Sequence, residues 1–171
     1  MIIDAAYQIY LESGMNAITT RAIAQAIGGS TQPIFSQFGS LDEVRAAVLD
    51  KAISSFSRQH SRDFDSPHAL LLISKDLIET VTKNPHLLLS LPLNTMLGSS
   101  ELYHESKRRL LDQLMDVHHL TEQNANMLYM IIFSETIGIL FAASHEQLEN
   151  RAMFYRFLDQ MYYSLLKNLQ P

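Results

Sequence analysis

The chain has 171 residues, of which 47% are hydrophobic and 18% charged, and its formal net charge is −5. This composition supplies a core and excludes global disorder, and the absence of cysteine excludes disulfides, thiol nucleophiles and thiolate zinc sites. The negative charge is opposite to that of most strong nucleic-acid binders, so we expect only weak non-specific binding to DNA.

The first 38 residues predict a helix followed by a helix-turn-helix motif. Apolar residues recur at helical spacing from Met1 to Ser13, and Gly14 predicts the end of that helix. Residues 18–38 then predict two short helices joined by Gly28-Gly29, because glycine adopts left-handed backbone angles at little cost. A short helix, a glycine turn and a second helix with a polar outer face are typical of the helix-turn-helix, whose second helix enters the DNA major groove.

Local signals fix the ends of these two short helices. Thr19 or Thr20 can cap the first and Ser30 the second, since a hydroxyl accepts a backbone N–H that a helix start leaves unpaired. Pro33 suits the first turn of the second helix. The apolar face of that helix is predicted to be core rather than contact surface, and it consists of Ile34, Phe35 and Phe38.

The rest of the chain also predicts helices. Ser40 and Glu43 form a capping box that opens a fourth helix. Five further helices are predicted to begin near Ser66-Pro67, Asn84-Pro85, Gly98, Thr121 and Gln147. Alternating strand patterns are absent, so the sequence predicts an all-α fold of about nine helices.

The longest apolar region, Met127 to Ala143, includes the polar residues Ser134, Glu135 and Thr136, and therefore predicts a buried helix rather than a membrane span. No signal peptide is visible at the N-terminus, and we expect a cytoplasmic protein without membrane association.

The first 50 residues resemble the TetR family of bacterial transcriptional regulators. The matching residues are Ile2-Ile3, Ala5-Ala6, Ile9-Tyr10, Gly14, Thr19-Thr20-Arg21, Ile23-Ala24, Ala26, Gly28, Ser30, Ile34-Phe35, Phe38, Ser40 and Asp42-Glu43-Val44. The resemblance implies a three-helix DNA-binding head over residues 1–46 and a helical effector-binding and dimerisation domain over 47–171. It also implies a ligand-responsive repressor that binds a palindromic operator as a homodimer.

Three departures from the family pattern are expected to weaken binding to the DNA phosphates. The family often has a basic arm before its first helix, whereas this sequence begins almost on that helix. A phosphate-binding tyrosine is common where Phe35 stands, and a lysine is common where Leu41 stands.

The candidate DNA-binding residues lie at the two helix starts and on the outer face of the second helix. They are Thr20, Arg21, Ser30, Thr31, Gln32, Ser36 and Gln37. By resemblance, Thr20 and Arg21 would touch phosphate, with a cap and a solvated charge as the alternative explanation. Glutamine can pair with adenine N6 and N7, and serine or threonine can bond to several base edges.

In the predicted body, apolar and aromatic residues on successive helices are candidates for an effector site, with ordinary core as the alternative. They are Met96, Tyr103, Leu114, Tyr129, Met130 and Phe133. The eighth predicted helix is apolar nearly all round and must be covered on two sides. A symmetry mate would cover one of them, which predicts a homodimer through helices eight and nine.

Other functional classes have less support. The adjacent pair His118-His119 cannot share one helix face, and the other histidines show no i, i+4 pairing, so no metal site or cofactor is expected. No P-loop, dinucleotide fingerprint or nucleophile elbow is present, which argues against an enzyme. The alternative to a regulator is a helical ligand-binding or protein-interaction module that keeps a vestigial DNA-binding head.

Overall fold

The computed structural model of the protein describes residues 1–59, 63–87, 101–145 and 151–170. All regular structure in these ranges is helical, which confirms the predicted all-α class. Eight α-helices are present there: α1 (Ile2–Ser13), α2 (Thr20–Ala26), α3 (Gln32–Gln37), α4 (Leu41–Gln59), α5 (Ala69–Lys83), α6 (Glu101–His118), α7 (Glu122–His145) and α8 (Arg151–Leu169). The helix predicted from Asn84-Pro85 begins as a 3-10 turn, Pro85–Leu87. The rest of it, with Pro92, where the sequence predicts a kink or an end, lies outside the described residues.

The chain divides into two compact units. The first comprises Met1–Phe56 with Asn84–Leu102, and the second comprises Ser57–Lys83 with Tyr103–Pro171. The first unit therefore holds α1, α2, α3 and most of α4. The boundary expected between residues 46 and 47 stays a prediction.

The first unit is held together by one apolar side of each of its helices. This core consists of Ile2, Ala6, Tyr10, Ile18, Ile23, Ala24, Ile34, Val44, Val48, Ala52 and Ile53. α1 ends at Gly14, whose φ of 81° is a left-handed value that favours glycine. The Ser40–Glu43 capping box is confirmed at the start of α4: Glu43 N donates to Ser40 Oγ at 3.2 Å, and Glu43 Oε2 accepts from Gly39 N at 3.0 Å.

The turn between α2 and α3 is fixed by a pair of backbone hydrogen bonds. Gly28 N donates to Gln25 O at 3.2 Å, and Gly29 N donates to Ala24 O at 2.9 Å. This is the Schellman pattern, in which the residue after the helix takes left-handed angles, and the φ of Gly28 is 66°. Thr19 Oγ1 accepts from Ala22 N at 3.1 Å, so the predicted threonine cap at the other end of α2 is also confirmed.

Replacing Gly28 with valine is expected to destabilise the protein by about 1–2 kcal/mol, because left-handed angles cost a residue with a Cβ roughly that much. A Cβ at this position would meet no atom within 4 Å, so the penalty arises from the backbone alone. Urea unfolding followed by circular dichroism measures the effect. Gly28→Asn is the matched control, since asparagine tolerates these angles, and equal stability of the two variants would contradict the assignment.

The second unit is a helical bundle in which α7 packs against α5 and α8. Its fully buried side chains include Ile78, Leu114, Leu128, Ile132, Leu140, Leu158 and Tyr162. Thr136 is also buried, and its hydroxyl donates to Ile132 O at 2.7 Å within α7. Among the described helices, α7 is the one long and apolar enough to cross a membrane by length and composition, over Glu122–Ala142. Its packing and its buried threonine fit the predicted core helix.

A cluster of histidine and tyrosine rings lies where α5 begins in the second unit. The rings of His68 and His118 are stacked, with centroids 5.6 Å apart, and both Tyr162 and Tyr163 meet His68 edge-on. His118 Nε2 lies 2.6 Å from the carbonyl oxygen of Pro67, which can only accept, so this nitrogen carries the proton and donates. Burial, and secondarily the neighbouring His118, lower the pKa of His68.

This cluster predicts that the protein becomes less stable as the pH falls from about 7 towards 5. Since the pKa of His68 is lower in the folded state than in the unfolded state, the unfolded chain binds the proton more readily as the pH passes the usual histidine value of about 6.5. Thermal unfolding at a series of pH values measures the dependence. His68→Gln removes the titrating group and is expected to flatten the curve in that interval, and an unchanged curve would contradict the assignment.

Candidate nucleic-acid interface

The second helix of the motif, α3, presents most of its side chains to solvent. Ile34 is 1% exposed and anchors the helix in the head. The exposed predicted contact residues are Arg21, Ser30, Thr31, Gln32, Ser36 and Gln37, and Thr20 is half-buried. The structure thus places the candidate DNA-binding residues at the surface of one unit, and their roles stay predictions.

The polar groups of α3 retain capacity to bond to another molecule. Neither the Gln32 nor the Gln37 carboxamide makes a hydrogen bond within the described part of the chain. Ser36 Oγ donates to Pro33 O at 3.0 Å, which leaves the oxygen lone pairs as acceptors. The predicted Ser30 cap is wrong: Thr31 occupies the N-cap position, and no side chain there accepts a capping hydrogen bond.

The cations of the head are mostly engaged in its own structure. Arg45 donates to Asp42 Oδ1 at 3.0 Å and to Ile18 O at 3.3 Å. Lys51 pairs with Asp4, and this pairing lowers the pKa of the Asp4 carboxyl to about 2. Among the described residues 1–56, Arg21 is the basic side chain that is exposed and makes no ion pair.

Phe35 does not lie in the core, contrary to the sequence prediction. Its side chain is 57% exposed on α3, whereas Phe38, at the end of the same helix, is half-buried. Phe35 is one residue beyond Ile34, about 100° further round the helix, and a six-residue helix has only one narrow buried face. The aromatic ring therefore projects beside the candidate base-contacting residues.

Three of the predicted effector residues lie together in the second unit. Tyr103 Oη lies 3.3 Å from Tyr129 Oη, and the Tyr129 ring stacks on Phe133 at a centroid distance of 5.7 Å. Lys107 Nζ lies 5.1 Å from the centroid of the Tyr129 ring, and this lysine makes no ion pair with a described residue. Burial raises the pKa of Tyr129, so its hydroxyl stays protonated. The group combines three aromatic rings, two hydroxyls and one cation, and Tyr129 at its centre is buried.

The other three predicted effector residues are not part of this group as the structure describes it. Leu114 is fully buried in the core of the second unit. Met130 was expected in the interior of the bundle, but it is 45% exposed. Met96 lies outside the described residues.

Large apolar side chains are exposed along α7 and α8. On α7, Met127, Met130 and Phe141 share one side of the helix with the exposed residues Ser134 and Gly138. On α8 the corresponding exposed residues are Met153 and Phe157. We call this set the apolar stripe. Exposed apolar surface on two helices of one bundle is typical of a protein–protein interface.

Comparison with known proteins agrees with these features. The model of bacterial regulatory proteins of the tetR family matches residues 2–48. The TetR-family repressor AlkX from Dietzia sp. is 18% identical, with a TM-score of 0.61 over 99% of this chain and 98% of that one. A TetR transcription regulator from Haloarcula marismortui is 19% identical, with a TM-score of 0.66 over 99% and 96%.

A third similar structure contains a ligand. The transcriptional regulator FadR from Bacillus subtilis, in complex with stearoyl-CoA, is 16% identical, with a TM-score of 0.61 over 99% of this chain and 96% of that one. No curated protein matches the sequence significantly. Residues 2–48 therefore match the DNA-binding head of bacterial regulatory proteins of the tetR family, and the chain has a fold similar to that of TetR-family structures.

Proposed function

We propose that this protein is a homodimeric, effector-responsive repressor that binds a palindromic operator in double-stranded DNA through α3. The observation that carries the proposal is the exposure of the polar side of α3 while Ile34 and the glycine turn hold the helix in the head. Rigid presentation of base-contacting groups is what sequence-specific recognition in the major groove requires. Thr20 and Arg21 are assigned to phosphate, and Thr31, Gln32, Ser36 and Gln37 to base edges or phosphate.

The apolar stripe supports a dimer formed through α7 and α8, which are the eighth and ninth helices predicted from the sequence. Met127, Met130 and Phe141 on α7 would pack against the same residues of a second copy, with Met153 and Phe157 of α8 beside them. Ser134 and Gly138 lie in the middle of the α7 side, and residues of this small size allow two helices to approach closely. A two-fold axis through this surface would give a four-helix interface and a dimer with two DNA-binding heads.

The Tyr103–Tyr129–Phe133 group, with Lys107, supports an effector site in the second unit. An apolar surface with a few polar groups is the usual chemistry of small-molecule sites. The similar FadR structure contains stearoyl-CoA, an apolar chain joined to a polar, anionic group. We propose that the effector binds at this group and favours one arrangement of the dimer, which changes operator affinity by its difference in affinity for the two states.

A second candidate function is a ligand-binding or protein-interaction module with a vestigial head. It is favoured by the charge of residues 1–56, which hold five acidic residues against Arg21, Arg45 and Lys51, and by the absence of a basic residue on α3. Both candidate functions assign the protein to the cytoplasm and give it no enzymatic activity.

Fluorescence anisotropy at low salt separates the two candidates. The protein is titrated into a labelled duplex from the region upstream of its own gene, and into a shuffled duplex of equal length and composition. If the protein is a regulator, it should bind the first duplex more tightly, and its affinity should depend only weakly on salt because few of its cations are free. Equal affinities for the two duplexes would favour the module.

A further inference from the structure

We propose that Phe35 reads a thymine methyl group in each half of the operator. This inference rests on the proposed function, since it assumes that α3 enters the major groove. Phe35, which the sequence pattern placed in the core, would then make a contact that determines operator specificity.

The Phe35 side chain is exposed although it is strongly apolar. Burying a phenylalanine side chain normally stabilises a protein, yet this ring is 57% exposed. Within the described residues 1–56, Met1 is the other large apolar side chain that is exposed. An isolated exposed aromatic ring in an otherwise polar surface fits a ring that is covered when the head binds its partner.

The chemistry of the ring selects what can cover it. A phenyl group has no hydrogen-bonding atom, so it gains nothing from phosphate oxygens or from the donors and acceptors on base edges. The apolar feature that the major groove offers is the C5 methyl group of thymine, and phenylalanine is among the side chains that contact it. Phe35 lies one turn of α3 from Thr31 and Gln32, which places it among the groups assigned to the bases.

Because the head has few free cations, an apolar contact to a base would supply a larger share of the binding free energy. Arg45 and Lys51 are engaged by Asp42 and Asp4, and Arg21 is left as the unpaired basic side chain among the described residues of the head. Few phosphate contacts mean that little of the affinity is independent of sequence. Apolar and hydrogen-bonding contacts to the bases must then supply a larger share of it.

The test exchanges thymine for uracil, which removes the methyl group and leaves every hydrogen-bonding atom in place. An operator is first obtained by selecting duplexes from a random pool with the full protein. Each symmetry-related pair of thymines is then replaced by deoxyuridine, and affinities are measured by anisotropy. One pair is expected to weaken binding about 15-fold, since one buried methyl in each half contributes about fourfold.

The variant Phe35→Ala shows whether Phe35 makes the contact with the thymine methyl group. It is expected to bind the thymine operator more weakly and to lose the preference for thymine at that pair, while the preferences at other pairs persist. Its circular dichroism should match that of the unmodified protein, because the ring is exposed. Phe35→Leu keeps an apolar side chain and is expected to retain part of the preference.

Two results would overturn the inference. One is an operator in which no thymine pair responds to deoxyuridine, and the other is a response of the same size in Phe35→Ala. Failure to select any sequence has a different meaning, because it removes the proposed DNA-binding function itself.

Discussion

The variant Gly138→Glu is expected to be a folded monomer that no longer binds an operator tightly. A side chain at this position would meet no other atom of its own chain within 4 Å, so the subunit tolerates it. In the proposed dimer, however, it would bring two carboxylates into the apolar stripe beside Phe141. An unpaired buried charge costs several kcal/mol, and we expect the dimer dissociation constant to rise at least about 100-fold.

Sedimentation velocity over a range of concentrations measures this change. Gly138→Ala is the matched control: it should stay dimeric and gain a few tenths to about 1 kcal/mol of helix stability. Gln25→Glu adds the same charge at an exposed position of α2, in the first unit, and should also stay dimeric. If Gly138→Glu remained a dimer of unchanged affinity, the interface would have to lie elsewhere.

The double variant Gln32→Ala and Gln37→Ala is expected to lose about 100-fold or more in affinity for a selected operator. A well-formed glutamine–adenine pair discriminates against the wrong base by about 1–3 kcal/mol, and each subunit of the dimer contributes both residues. Both side chains are exposed, so the head should keep its stability. Affinity for a shuffled duplex should not change, because no charge is removed.

Arg21→Gln is the matched control for this double variant. It removes the exposed cation, and should weaken binding to operator and shuffled duplex alike and make the salt dependence shallower by about one counterion per head. If Gln32→Ala with Gln37→Ala weakened binding to the operator and to the shuffled duplex equally, direct recognition of the bases by α3 would be contradicted.

The ends of the helices were predictable because the signals that set them are local. Thr19 and Thr121 cap α2 and α7, with Asn124 N donating to Thr121 Oγ1 at 3.2 Å, and both lie within three residues of their partners. The glycine turn at Gly28 is likewise a property of one short segment. The start of α5 was placed too early, because Ser66 Oγ accepts from His68 N at 3.2 Å and forms a turn before the helix begins.

The features that could not be predicted depend on contacts between distant residues or on solvent exposure. His68 and His118 are 50 residues apart in sequence, and no helical spacing connects them. Lys107 on α6 lies over the Tyr129 ring on α7, and no local spacing indicates this contact between two helices. Hydropathy places both Phe35 and Met130 in a core. Hydropathy shows that both side chains are apolar, but it does not show which side of each helix packs against the rest of the protein.

The proposed function requires that two copies of α3, held by one dimer, bind one operator together. Sedimentation of the protein with a selected duplex decides this, since the mass of the complex gives the number of chains per duplex. We expect an even number of chains, at least two, on the operator, and no complex of that mass on a shuffled duplex at the same concentration. A complex with one chain per duplex, or the same mass on both duplexes, would rule out a dimer that recognises a palindromic operator.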